Sequence, residues 1–357
     1  MIAREKLADV MFITTQDRQH VGQAIPALRK GYHLLLEKPI SPDLDECREI
    51  VKVAQECDRK VIVCHVLRYT PFYTKIKDLI DEGTIGEIVS VNSVENVGYW
   101  HQAHSFVRGN WRNSNTTSPM ILQKCCHDMD IMLWLADSKC KKISSFGELT
   151  YFTEENAPVN APRYCMDGCE HRDKCPFYAP RFYLEHPKAV EDGLVYAVTD
   201  QADSEHVLKE LKKGPYGRCV FHSDNTVVDH QTVDIEFENQ VTASFLMTAF
   251  TNQCARRIRI MGTKGELKGD MEAGTIEIID FVSGTNDLIQ LHTPSKGHSG
   301  SDMSMMREFV RMVGEGKTGK TDASVSVASH LMALAAEEAR IRKTVIDFEE
   351  YSAYETK

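Results

Sequence analysis

The sequence lacks several features that would define its class at once. No apolar run approaches the ~20 residues that a membrane-spanning helix needs. No segment is dominated by Lys and Arg, and the formal net charge is −10, which argues against nucleic-acid binding. The 11 cysteines are too few for a disulfide scaffold in 357 residues, and several, such as Cys64 and Cys125, lie in apolar or helical surroundings typical of reduced thiols. We therefore expect a cytoplasmic protein with neither membrane nor nucleic-acid partners.

The overall composition is that of an ordinary globular protein. Hydrophobic residues make up 42% of the chain and charged residues 26%, which excludes wholesale disorder. At roughly 150 residues per domain, the length predicts about two domains, each able to bury a core.

The first 66 residues alternate apolar runs with helical segments. Ala8–Thr14, His33–Leu36 and Lys60–His65 read as strands buried on both faces, as in a parallel sheet. Helices are predicted from about His20 to Lys30 and after Ser41. Strand, helix, strand, helix, strand predicts right-handed crossovers and a partial doubly wound, Rossmann-like α/β sheet over residues 1–66.

The pattern changes after this segment. Period-two stretches within 142–152 and 232–291 predict a large, mostly antiparallel sheet. Helices are predicted at 71–82, within 118–135, and at 304–313 and 322–342. We expect residues 67–357 to form an α+β domain for substrate binding and oligomerisation, with helix 322–342 packing back on the first domain.

Gly314–Thr321 (GEGKTGKT) matches the phosphate-binding loop pattern in its letters. That mechanism requires a buried strand directly before the loop. The preceding MMREFVRMV has helical spacing, so we interpret this segment as a turn between two helices.

A lysine follows the second predicted strand directly, in Glu37-Lys38-Pro39. Ligands of open α/β sheets bind beyond the carboxyl ends of strands, and a lysine partly removed from water exchanges protons more readily. Taken alone, Lys38 is better explained as a solvated lysine at a strand end, and it is the surrounding sequence that changes this interpretation. The run FITTQDRQHVGQAIPALRKGYHLLLEKPIS, followed by VCHVLRYTPFY and KCCHDMDIMLWL, resembles the Gfo/Idh/MocA family of nicotinamide-dependent oxidoreductases.

This resemblance covers essentially the whole chain and carries several expectations. It implies NAD or NADP as the cofactor, and an N-terminal Rossmann domain followed by a domain whose open sheet face forms homo-oligomer contacts. The implied substrates are sugars, cyclitols and related polyols, oxidised or reduced at a hydroxyl-bearing carbon. Two alternatives remain open: an NAD-dependent glycosidase or lyase that oxidises its substrate transiently, and a non-catalytic sugar-binding protein.

The resemblance also assigns residues. Those expected near the cofactor are Thr14, Thr15, His20, Glu37, Lys38 and Pro39. His127 and Asp130 match an HxxD pair on one helix face, with His127 as the acid/base candidate and Asp130 as an orienting or substrate-binding group.

Further ligand contacts are candidates from position and chemistry. Trp111 and Arg112 could supply a stacking face and an anion-binding fork near the cofactor. Arg68 and Tyr69 follow the third strand, where a ligand could lie. His230 sits among hydrogen-bonding side chains that suit a polyol. A structural role explains any of these equally well.

Two departures from the family pattern stand out. Gln123 occupies a position where the family carries an acidic residue, and Lys124 follows it, so the proton relay is expected to use Lys38, Lys124 and His127. The glycine fingerprint and the acidic ribose-binding residue are absent before the first strand. The chain is then either the later part of a longer protein or one without ordinary dinucleotide binding, and the sheet edge left exposed favours the former.

A group of cysteines, Cys165, Cys169, Cys175 and Cys219, lies in and after a Pro- and charge-rich insertion. Four thiolates brought together would form a structural zinc site and fix an irregular loop. The spacings are looser than paired CxxC motifs, so reduced thiols are an equal alternative.

Overall fold

The computed structural model describes residues 3–291 and 300–353, which form two sheets. The strands are β1 Val10–Ile13, β2 His33–Leu36, β3 Val61–Val63, β4 Ile88–Asn96, β5 Cys140–Glu148, β6 His230–Phe237, β7 Thr242–Thr248, β8 Ala255–Gly262, β9 Gly265–Asp270, β10 Thr275–Asp280, β11 Asn286–Gln290 and β12 Ile346–Asp347. The helices are α1 His20–Arg29, α2 Leu44–Glu56, α3 Pro71–Asp81, α4 Tyr99–His101, α5 Met120–Gln123, α6 Cys126–Ala136, α7 Ala179–Glu185, α8 Pro187–Val190, α9 Ser204–Leu211, α10 Ser301–Glu315, α11 Ala323–Arg342 and α12 Phe348–Ala353.

The smaller sheet is parallel, with strand order β1-β2-β3. Its central strand carries Leu34 and Leu36, both fully buried, which explains the unbroken apolar run of β2. Asp43 starts α2, because its side chain accepts the backbone N–H groups of Asp45 and Glu46 at 2.9 Å. The outer edge of β1 has no partner among the described residues, and Phe12 on this strand is 51% exposed.

The other edge of this sheet is closed by the segment before α11. The backbone N–H of Val63 donates to the carbonyl of Thr321 at 2.8 Å, and Ile62 pairs with Asp322. Asp322 then caps α11 by accepting the N–H of Ser324 at 3.0 Å. The segment from 314 to 321 therefore runs from the last turn of α10 into α11, as predicted, with no strand before it.

The larger sheet has nine strands in the order β11-β10-β9-β8-β4-β7-β6-β5-β12. Only β4 and β7 run parallel; the other neighbours are antiparallel, which confirms the predicted fold class. Along β6, buried Val233 and Ile235 alternate with exposed Asp234, so one face lies on the core and the other is polar. Helices α6 and α11 lie against this core, and α11 also contacts α2 and β3 of the smaller sheet.

The long helix expected within 118–135 is α6, and a separate short helix, α5, precedes it. Helical geometry is interrupted at Lys124 and Cys125, which separates α5 from α6. Cys125 leaves helical geometry at φ −103° and ψ 8°, so the chain changes direction between Gln123 and Cys126. Hydrophobic spacing does not register such a break, because both segments bury apolar side chains in the same core.

Candidate active site

The carboxyl ends of the parallel strands meet the α5–α6 segment. Lys38 follows β2 and is half-buried, and its ammonium Nζ donates to the backbone carbonyl of Gln123 at 3.0 Å. With its amide oriented to satisfy both neighbours, Gln123 donates to Asp17 at 3.0 Å and accepts from the Trp111 indole at 2.9 Å. Buried Asp17 also accepts the hydroxyl of Ser118. The structure therefore brings Lys38 together with Gln123 and Trp111.

His20 joins the loops that follow β1 and β2. Its Nδ1 lies 2.8 Å from the Pro39 carbonyl oxygen and its Nε2 lies 3.0 Å from the Thr15 carbonyl oxygen. The ring is buried, whereas Thr14 and Thr15 are exposed on the outer side of this loop. The side chain of His20 thus contacts the backbone of the predicted cofactor loop, while the side chains of Thr14 and Thr15 remain accessible to a ligand.

A histidine cluster lies behind Lys38. One ligand atom each from His65, Cys126 and His127 lies within 4.8 Å of the other two. The ring of His65 also meets the ring of His330 edge-on, with centroids 5.0 Å apart. Burial lowers the pKa of His65 to about 4, and nearby Lys38 contributes in the same direction. This imidazole is therefore neutral at pH 7.

The predicted ligand residues Arg68 and Asp130 contact each other. Both are buried, and the guanidinium donates twice to the carboxylate at 2.7 Å. Although burial opposes it, the charge and the hydrogen bonds of the Arg68 guanidinium hold the pKa of Asp130 below its usual value. Tyr69 also bonds to another residue of the protein, because its hydroxyl lies 3.0 Å from the hydroxyl of Thr321. These three side chains hold α6 and the start of α11 around the cluster.

Lys124 belongs to a buried network of four charges, which we call the charge network: Lys124, Glu95, Arg256 and Asp128. Glu95 lies 3.2 Å from Lys124 and 2.9 Å from Arg256, and Arg256 donates to both oxygens of Asp128. Burial alone would lower the pKa of Lys124, but the Glu95 carboxylate outweighs it and raises that pKa. Burial raises the pKa of Asp128 to about 6 despite Arg256. Lys124 is therefore held as a cation.

The sequence patterns missed a cavity of about 990 Å³ next to this network. Its walls include Trp100, His101 and Cys254, and the Cys254 thiol lies 3.7 Å from Nδ1 of His101. Burial, followed by the positive charge of Lys124, holds the pKa of His101 well below its usual value. The available signal was the aromatic and histidine-rich GYWHQAH segment directly after β4.

Arg112 and His230 each pair with an aspartate. Arg112 donates to both oxygens of Asp224 at 2.7 and 3.1 Å. His230 pairs with the carboxylate of Asp229 at 2.8 Å at the start of β6. Asp229 in turn accepts the backbone N–H groups of Thr150 and of the residue after it, so this pair supports a loop of the insertion.

The zinc prediction for Cys165, Cys169, Cys175 and Cys219 is not supported. Among the residues that the structure describes, these cysteines do not form a group at metal-ligand spacing. Cys165 instead lies 3.6 Å from the buried guanidinium of Arg108, which also donates to backbone carbonyls of the insertion at 2.6 and 2.7 Å. The hydrogen bonds that the Arg108 guanidinium donates therefore help to hold this loop in place. Sequence spacing could not give the distances between the sulfurs.

The small parallel sheet followed by the large mixed sheet defines the fold, and comparison with known proteins gives the class, that of an oxidoreductase. Residues 1–65 match the profile of the oxidoreductase family, NAD-binding Rossmann fold, and residues 77–347 match its C-terminal alpha/beta domain. The chain belongs to the Gfo/Idh/MocA family of oxidoreductases. Sugar and polyol dehydrogenases are among its relatives.

Individual relatives are distant. The candidate oxidoreductase YteT of Bacillus subtilis (strain 168) is 21% identical over 84% of this chain and 72% of its own length. Inositol 2-dehydrogenase of Corynebacterium glutamicum is 29% identical over 37% of this chain, which spans only 36% of that enzyme. The structure of levoglucosan dehydrogenase with NADH and levoglucosan superposes with a TM-score of 0.68 at 15% identity, covering 95% of this chain and 80% of that one.

The carboxyl ends of three parallel strands, accessible threonines and Lys38 suit the nicotinamide end of the cofactor. The loop between β1 and α1 contains no glycine, so the described residues do not supply the usual pyrophosphate cradle. Across 3–291 and 300–353, no helix combines the length and the apolar character needed to cross a membrane.

Proposed function

We propose that this protein catalyses NAD(P)-dependent hydride transfer to or from a hydroxyl-bearing carbon of a sugar, cyclitol or related polyol. The observation that carries the proposal is Lys38, held by the carbonyl of Gln123 at the carboxyl edge of the parallel strands, three residues before Cys126 of the His127 cluster. Residues 1–66 would hold the cofactor and residues 67–357 the substrate.

In the oxidising direction, the substrate carbon loses a hydride while its hydroxyl loses a proton. The nicotinamide, when bound, supplies the hydride acceptor. Lys38, entering this step as the free amine, accepts the hydroxyl proton and passes it on to His127, which is the contribution expected of a positioned acid/base pair. Thr14, Thr15, Glu37 and Pro39 would line the nicotinamide end, with Gln123 and Trp111 fixing the position of Lys38.

The substrate is assigned to the cavity beside Trp100. A sugar offers an apolar ring face as well as hydroxyl groups, and an indole together with polar side chains suits both. Lys124 remains charged because of Glu95, so in this assignment it orients a substrate hydroxyl and does not remove its proton. Names of relatives such as inositol 2-dehydrogenase and levoglucosan dehydrogenase support the same substrate class.

The test is a comparison of Lys38→Ala with Lys60→Ala in the full chain. Lys60 precedes β3, at the opposite end of the same sheet, and serves as the matched control. We expect Lys38→Ala to lower kcat by about 10²–10⁴ with little change in the Kd for cofactor, because proton transfer and not binding is removed. Lys60→Ala should retain kcat. An unchanged kcat in Lys38→Ala would refute the role given to Lys38.

Two further results would redirect the assignment. Substrate turnover without net NADH or NADPH formation would indicate a glycosidase or lyase that oxidises its substrate transiently. Sugar binding by calorimetry without any affinity for NAD or NADP would indicate a binding protein.

Sedimentation of the full chain, with and without charge reversal at Asp234 on the polar face of the large sheet, tests the proposed homo-oligomer contact.

A further inference from the structure

The cluster of His65, Cys126 and His127 has a property that the proposed hydride transfer does not use. We propose that these three side chains form a binding site for a thiophilic divalent cation, Zn²⁺, with two imidazoles and one thiolate as ligands. For brevity we call it the His₂Cys site. The inference that a bound ion would also block catalysis rests on the proposed function, because His127 belongs to both.

The distances suit a metal ion. The three ligand atoms lie within 4.8 Å of one another. In tetrahedral zinc sites, with bonds of about 2.0–2.3 Å, the ligand atoms lie roughly 3.3–3.8 Å apart. A separation of 4.8 Å would have to close by about 1–1.5 Å for the atoms to reach coordination distance. Three protein ligands leave a fourth position for water or another donor, as in zinc sites that stay open.

A second observation points to a ligand independently. His65 is fully buried, yet neither of its ring nitrogens has a hydrogen-bond partner among the described residues. An unsatisfied buried polar group of this kind costs about 1–3 kcal/mol, so it calls for an explanation. Coordination of one nitrogen to a cation would satisfy it.

The donor set and the surrounding charge select the kind of ion. Imidazole and thiolate suit Zn²⁺ and not the oxygen-seeking Mg²⁺ or Ca²⁺. On binding, a metal–sulfur bond replaces the S–H bond of Cys126, and the proton passes to the buffer. The carboxylate of Asp130 lies 4.0 Å from Nδ1 of His65 and offsets part of the added charge, whereas Lys38 opposes it.

The test uses the full chain, stripped of metal and titrated with Co²⁺ as a spectroscopic substitute for Zn²⁺. We expect one ion per chain and a thiolate-to-cobalt absorption band. Cys126→Ser should abolish the band, and His65→Gln should weaken Co²⁺ binding at least tenfold. The control Cys125→Ser removes the adjacent buried thiol, which is not in the cluster, and should keep the band.

X-ray absorption of the zinc-loaded wild-type protein provides an answer that needs no variant. One sulfur and two imidazole nitrogens at the zinc would support the His₂Cys site. A shell of three or four sulfurs would assign the metal to the cysteine insertion and overturn the proposal, as would the absence of stoichiometric binding or a cobalt band unchanged in Cys126→Ser.

Metal binding and hydride transfer can be separated in the same protein. If both proposals hold, Zn²⁺ inhibits turnover and a chelator restores it. Binding with the expected spectrum in a protein that turns over no polyol would retain the metal site and remove the proposed dehydrogenase activity. Turnover of a polyol without metal binding would retain the dehydrogenase activity and remove the metal site.

Discussion

Glu95 is the residue whose neutralisation tests the charge network most directly. Its side chain is fully buried and touches Lys124 at 3.2 Å and Arg256 at 2.9 Å. With an effective dielectric constant of about 20, each contact corresponds to roughly 5 kcal/mol of gross attraction. Arg256 keeps Asp128 when Glu95 is lost, so Lys124 is the cation left without compensation. We expect Glu95→Gln to lower the free energy of unfolding by about 3–5 kcal/mol.

The assay is denaturant unfolding at pH 7, followed by circular dichroism. Asp81→Asn is the matched control, because Asp81 also pairs with a lysine, Lys77, at 2.6 Å, but at the exposed surface of α3. This control should change stability little. Adding Lys124→Met to Glu95→Gln should recover part of the loss, since it removes the uncompensated cation. A loss below about 1 kcal/mol for Glu95→Gln, or no recovery in the double variant, would refute this reasoning.

Two further predictions concern the insertion and the core. Burial, aided by Arg108, lowers the pKa of His104 to about 4, below the ordinary 6.5 of an unfolded chain. Its stabilising contribution is therefore present above pH 6.5 and is lost as the pH falls through 4, by up to roughly 3 kcal/mol. In unfolding titrations His104→Asn should reduce that pH dependence by its own share, since His65 and His101 also contribute to it, while His171→Asn at the surface should leave it unchanged; equal slopes in all three proteins would contradict this. An added Cβ at Gly269 would lie 2.5 Å from the buried ring of Phe72, so Gly269→Ala should cost about 1–3 kcal/mol in thermal or denaturant unfolding. Gly22→Ala in α1 meets no atom within 4 Å and should stabilise by about 0.5–1 kcal/mol; the opposite order of the two variants would contradict the packing argument.

Local patterns predicted the elements that depend on local physics. Strand β2 runs from His33 to Leu36 as predicted, because a short apolar run bounded by Gly31 and a charged turn has few other solutions. Helix α11 was predicted from 322 to 342, within one residue of its observed start. Lys38 was placed at a strand end for the same reason.

The ion pairs that build the site could not be predicted from local sequence patterns. Arg68 and Asp130 are 62 positions apart, and Arg112 and Asp224 are 112 apart, so their ion pairs depend on the packing of separate elements. Lys124 was predicted as part of a proton relay, but its partner Glu95 comes from β4. Periodicity reports which face of an element is buried and not which charge lies opposite it.

The closure of β3 by Thr321 has a consequence for biosynthesis. The first three strands leave the ribosome early, but the backbone that completes their edge is made more than 250 residues later. Contacts of such sequence separation form slowly, and a partly complete parallel sheet exposes its edges meanwhile. The β1-β2-β3 sheet is therefore expected to reach its final form only after Thr321 has been synthesised.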